Sequence, residues 1–93
     1  MTNLFQVMYY GLDDGGDKNG EIWEVGYFDD KNTATDAIFQ DGIYDNECDL
    51  ELITDSLEYA KYNLIDRENR KAKGYYEISK LEINKIINNQ IAE

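Results

Sequence analysis

Residues 50–74 read LELITDSLEYAKYNLIDRENRKAKG, and the period assigned to their apolar side chains decides the fold. Leu50, Ile53, Leu57, Ala60 and Leu64 recur at alternating spacings of three and four, which places all five on one stripe of an α-helix. Asp49 or Thr54 suits the start of such a helix. At its other end Arg67, Arg70, Lys71 and Lys73 would complement the negative end of the helix dipole, and Gly74 would supply a left-handed terminating residue. The spacing predicts one long helix over this stretch.

Working outward toward the N-terminus, Leu4 to Tyr10 carries Phe5, Val7 and Tyr9 on one face and Leu4, Met8 and Tyr10 on the other, so it reads as an interior strand. Gly11 to Gly20, GLDDGGDKNG, is rich in turn formers. Glu21 to Phe28 then alternates as a second strand, with Trp23, Val25 and Tyr27 facing Phe5, Val7 and Tyr9 across a hairpin. Thr33 with Asp36 resembles a helix start, so a short helix is expected over about Ala34 to Gln40, with loop from Gly42 to Asp49. Beyond the long helix, Tyr75 to Ile83 reads as a third strand with a bulge near Ser79 or Lys80, and Asn84 can cap a last short helix bearing Ile86, Ile87 and Ile91. The expectation is a single compact α+β domain over residues 1–93: a small, mostly antiparallel sheet, made of a β-hairpin plus a third strand, packed on one long helix with two short helices.

Ninety-three residues fit one domain with a core near the small end of the viable range. The chain has no His, so the commonest general base and metal ligand are missing, and its lone Cys48 can form no internal disulfide. Cys48 also stands among carboxylates that disfavour a thiolate. Paired carboxylates such as Asp13/Asp14 and Asp29/Asp30 have no evident cleft to separate their pKa values. No enzyme activity and no cofactor are expected. Asp17 to Ile22 matches the middle of a calcium loop, but glycines stand at both terminal ligand positions, so a hairpin turn explains it better and no metal is assigned. No apolar run suits a membrane span, the N-terminus lacks a signal-peptide pattern, and a cytoplasmic location is expected.

The formal net charge is −11, and it is unevenly placed: residues 1–60 hold 15 acidic and 2 basic side chains, a net of −13, while residues 61–93 carry a net of +2. Such a field opposes direct binding to nucleic acid or an anionic membrane and favours a basic partner. Solubility is the plainer account of the same acidity. Candidate partner-binding carboxylates are Asp13, Asp14, Asp17, Asp29, Asp30, Asp41, Asp45, Glu47, Asp49, Asp55 and Glu58. Tyr59 and Tyr62, lying far round from the apolar stripe of the expected helix, and Tyr44 in the acidic loop are candidate anchors, since tyrosine buries much area at low entropy cost. The basic run from Arg67 to Lys73 offers a second option, self-association of the cationic end of one copy with the acidic half of another.

Small size, acidity and stretches such as EIWEVGYFDD and TDSLEYAKYNL resemble the small proteins that bacteriophages and mobile elements use against host defence, the anti-CRISPR proteins among them. That resemblance implies an inhibitor that occupies the cationic groove of a nucleic-acid-processing protein, such as a CRISPR effector or nuclease, by mimicking nucleic acid. An immunity protein or antitoxin against a basic toxin, or a phage structural or cation-binding protein, would fit the same composition.

Overall fold

The computed structural model describes residues 3–13, 15–43 and 47–82. Five strands and one helix follow in the order β1 (Asn3–Leu12), β2 (Lys18–Phe28), α1 (Lys31–Ile43), β3 (Cys48–Asp55), β4 (Tyr59–Asp66) and β5 (Ala72–Glu82). The strands form one antiparallel sheet in the order β2-β1-β5-β4-β3. The helix links the two edge strands and lies on one face. The expected sheet packed on a long helix is therefore overturned: the stretch read as that helix is the β3–β4–β5 meander. The second short helix, expected from Asn84, lies outside the described residues.

The meander forms because residues 50–64 satisfy a period of two as well as the helical stripe. Ala60, Tyr62 and Leu64 alternate with Tyr59, Lys61 and Asn63, and the first three are buried while the others are half-buried. Aromatic and β-branched residues favour this extended arrangement. The chain reverses after Asp55, where the Ser56 amide donates to the Tyr59 carbonyl at 2.7 Å. Leu57, placed in the core by the helical reading, is 89% exposed in that turn. Ile53 is an extra residue where the β3–β4 register shifts, and it faces solvent.

The basic run read as a helix end closes the next hairpin instead. The Asp66 Oδ1 accepts from the amides of Glu68 at 2.8 Å and Asn69 at 3.3 Å, and Arg70 takes φ 59°. Gly74 lies inside β5, opposite Gly11. The register between β1 and β5 runs unbroken, so the bulge expected near Ser79 is absent, and the β4–β5 register shifts instead between Leu64 and Ile65.

The N-terminal hairpin, the interior position of β1 and a helix after it agree with the sequence. The helix starts earlier than Ala34 because Asp30 caps it: its Oδ1 accepts from the Thr33 amide at 2.8 Å and its Oδ2 from the Thr33 hydroxyl at 2.9 Å. It continues past Gly42, where a side chain would press on Leu50 at 3.2 Å. Ala34 and Ile38 are fully buried on the sheet, against a core of Val7, Tyr9, Tyr62, Leu64, Tyr76 and Ile78. Among the described residues no helix covers the other sheet face. Across it Lys18 lies 4.8 Å from the Tyr10 ring, Tyr10 stacks on Tyr75 at 5.0 Å, and Lys61 lies 4.3 Å from Tyr75.

Candidate functional site

The register of β1 with β2 places the aromatic side chains of the sheet edge. Val25 is the extra residue between the Val7–Gly26 and Met8–Glu24 pairs. It turns Tyr27 to the open face, opposite Gln6, while Trp23 stays on the helix side opposite Tyr9. The expected common face of Trp23, Val25 and Tyr27 is thus split. On the open face the Gln6 Nε2 donates to the Tyr27 hydroxyl at 3.3 Å and to Glu24 Oε2 at 3.4 Å, and the Glu24 carboxylate holds the Tyr27 phenol protonated above its ordinary range. On the helix side Trp23 stacks on Tyr9 with ring centroids 4.2 Å apart. Ile22, Trp23 and Tyr27 are substantially exposed at this edge, as is Phe39 on α1, over Tyr62 of β4.

Behind Trp23, at the C-terminal end of α1, a cavity of about 510 Å³ opens between helix and sheet. The pairing of Gly11 with Gly74 leaves one row of β1 and β5 without side chains, and Glu21 and Tyr9, which line the cavity, occupy that space. The Glu21 Oε2 lies 3.0 Å from where a Gly11 side chain would begin, and the Tyr9 phenol covers Gly74. Tyr76 donates its hydroxyl to Asp41 Oδ2 at 2.6 Å, fixing that carboxylate on the cavity wall. Lys73 also lines it, as does Leu64. A neighbouring hollow of about 280 Å³ shares Tyr9, Glu21 and Lys73 and reaches Asp13 in the β1–β2 turn.

The described candidate carboxylates do not gather into one patch; they divide between the two edges of the sheet. Around β2 and α1, Asp13 organises its turn by accepting from the amides of Gly15 and Asp17, each at 2.9 Å. Asp17 and Asp29 are exposed, Asp30 caps the helix and Asp41 faces the cavity. The Thr33 amide and hydroxyl hold the Asp30 carboxyl below the usual carboxylate range. Around β3, Asp49 binds Arg67 at 2.7 Å and Arg70 at 3.3 Å, Asp55 binds Lys31, and Glu58 lies 3.9 Å from Lys80. The Arg67 hydrogen bond holds Asp49 low, and the same contact raises Arg67. The carbonyl of Glu47 accepts from the Arg67 amide at 2.9 Å, and its side chain is exposed. Asp14, Tyr44 and Asp45 lie outside the described residues.

Neither described tyrosine anchor stands as expected. Tyr62 is a core residue, 9% exposed and edge-on to Phe39 at 5.7 Å. Tyr59 lies half-buried on the open face and hydrogen-bonds Glu77; burial and then that carboxylate push its phenol up to about 12. The cationic hairpin tip expected to meet another copy binds Asp49 of its own chain through Arg67 and Arg70. Trp23, Tyr27, Glu21 and Glu24, which are not among the candidates read from the sequence, lie at the β2 edge. Gly26 within the second strand was the available signal, since glycine inside a strand pattern marks a bulge that redirects its neighbours.

Residues 13–43 contain nine acidic and two basic side chains, a net of −7, whereas residues 47–82 contain nine acidic and six basic, a net of −3. Of the two cations in the first segment, Lys31 reaches Asp55 and Lys18 lies on Tyr10. The uncompensated field therefore belongs to β2, its flanking turns and α1. Among the described residues no three His, Cys, Asp or Glu side chains converge as a metal site, and no helix is long and apolar enough to cross a membrane. No protein-family model, no curated protein and no solved structure matches this chain.

Proposed function

We propose that this protein is a small acidic inhibitor that docks on a basic nucleic-acid-processing protein, such as a CRISPR effector or nuclease, in the cytoplasm of the host cell. Its carboxylates compete there with the phosphate backbone. The observation that carries this reading is the coincidence, around β2 and α1, of the net −7 segment with the exposed Trp23, Tyr27, Ile22 and Phe39. Exposed rings on acidic elements suit a cationic receptor: the charge raises the association rate, and rings that become buried on binding supply most of the affinity. The β3 edge contributes less, because Asp49, Asp55 and Glu58 are engaged by cations of the same chain.

The test is competition. The protein is titrated against fluorescent duplex DNA bound to purified effector nucleases over a range of salt concentrations. Displacement should weaken steeply as salt rises and should fall at least tenfold for the combined variant Glu24→Lys, Asp29→Lys and Asp36→Lys. Asp55→Asn and Glu58→Gln should leave displacement unchanged. A charge-reversed variant that competes as well as the parent refutes the reading. A basic ribonuclease or pore-forming toxin neutralised in place of a DNA effector would identify an immunity protein or antitoxin.

A further inference from the structure

We infer that the cavity behind Trp23 is a receptor for a guanidinium group, an arginine side chain supplied by the bound protein partner. The inference rests on the reading above and adds to it the chemistry of one subsite. Its volume of about 510 Å³ lies within the range of small-ligand pockets, about 300–1,000 Å³. Its walls combine the two features that a guanidinium needs. One is an aromatic surface: Trp23 is 45% exposed and backed on Tyr9, which holds the indole in place without enclosing it. Indole is the best cation–π acceptor among side chains, and a planar guanidinium stacks on it. The other is directed negative charge. Glu21 lies across Gly11, and Asp41 is oriented through one oxygen by the Tyr76 hydroxyl, leaving its second oxygen to accept a further donor.

Among the described residues Lys73 is the one cation on the wall, against the two carboxylates of Glu21 and Asp41. A phosphate or carboxylate ligand would face both acids, and an apolar ligand would offer no donor to Glu21 or to the second oxygen of Asp41. A lysine ammonium would satisfy the charge but not the flat aromatic wall, because it is a compact, strongly hydrated ion. Arginines are also the side chains that a nucleic-acid groove presents most often for bidentate contacts. Capturing one would explain how a protein with no extended phosphate row holds such a groove in register.

The probe is a blocked tripeptide, acetyl-Gly-Arg-Gly-amide, titrated into the full chain by calorimetry and by fluorescence of Trp23, the only tryptophan. Saturable binding in about the millimolar range is expected for one isolated side chain. The neutral citrulline analogue should bind at least tenfold more weakly, and the lysine analogue severalfold more weakly. Glu21→Gln and Asp41→Asn should each raise Kd about three- to tenfold, while Glu58→Gln on the distant β3–β4 turn should not change it. Equal binding of the citrulline peptide, or unaltered binding by both Glu21→Gln and Asp41→Asn in folded protein, overturns the inference. So does the absence of saturation by both methods. The titration needs no partner, so its failure is separable from loss of DNA competition.

Discussion

Replacing Gly74 by alanine probes the strand register and the packing of Tyr9 in one step. A Cβ at this position would run into the Tyr9 phenol and lie 2.7 Å from the Tyr10 carbonyl oxygen. Tyr9 is buried, stacked on Trp23 at 4.2 Å and tilted against Tyr76 at 4.9 Å, so its ring can yield only toward the cavity it lines and at the cost of these contacts. Overpacking of this kind destabilises by about 1–3 kcal/mol, more toward the upper end where the obstruction is backbone. Alanine recovers roughly 0.5–1 kcal/mol of the chain entropy that glycine loses in a strand. A net loss of about 2 kcal/mol follows, which in a domain of this size lowers Tm by about 8–16 °C. Urea unfolding followed by Trp23 fluorescence and circular dichroism measures it. In the Tyr9→Leu background the same alanine should be about 1 kcal/mol less harmful, because the obstructing ring is gone. Asparagine at the position should be worse than alanine, whereas a left-handed helix terminus would prefer asparagine. A Gly74→Ala protein within about 0.5 kcal/mol of the parent, or asparagine tolerated better than alanine, would refute the strand geometry.

Three further outcomes bear on the same structure. Leu57→Ser, in the exposed β3–β4 turn, should alter stability by less than about 0.5 kcal/mol, while Tyr62→Ala should destabilise by about 3–5 kcal/mol; urea midpoints decide, and the reverse order would restore the helical stripe. Tyr59 keeps its proton in the folded state up to about 12 against 10.0 in the unfolded chain, so its stabilising contribution is complete below pH 10 and disappears between pH 10 and 12. Screening leaves this on the order of 1 kcal/mol, and Tyr59→Phe should flatten that limb of the stability profile. Asp30→Ala removes the cap on the Thr33 amide and should lower the urea midpoint, with Asp30→Asn recovering most of the loss.

What the sequence disclosed depended on whether local pattern and long-range pairing agreed. Leu4 to Tyr10 shows apolar residues on both faces because β1 lies between β2 and β5, and that could be read directly. The α1 signal survived as well, since Ala34 and Ile38 fall four apart on the buried side. From residue 50 to 64 the apolar residues satisfy two periods at once. The spacing of Leu50, Ile53, Leu57, Ala60 and Leu64 is helical by coincidence of a bulge at Ile53 with a turn at Ser56 to Glu58 that has no Gly, Pro or Asn to announce it. Charge was legible as an amount per segment but not as a position. Nothing local shows that Asp49 would meet two arginines from the next hairpin. The cavity was still further from view, because its walls come from β1, β2, α1, β4 and β5, which only the folded chain brings together.

The acids along β2 also admit a purely architectural account, and the sign of their charge separates it from the functional one. β2 is an edge strand of 11 residues with exposed Ile22 and Trp23, a template on which a second sheet could pair. Charged side chains on such an edge discourage that pairing, and lysine does so as effectively as glutamate. If edge protection were the whole reason for Glu21 and Glu24, the double variant Glu21→Lys and Glu24→Lys would stay monomeric by light scattering and keep every activity of the parent. If a cationic receptor is the reason, the same variant stays monomeric but loses competition with DNA by at least tenfold, since two reversed charges turn steering into repulsion. Neutral Glu21→Gln and Glu24→Gln divides the cases further: it weakens edge protection, so aggregation should rise, while displacement falls only severalfold. Preserved competition by the lysine pair would leave the β2 edge with a structural role alone.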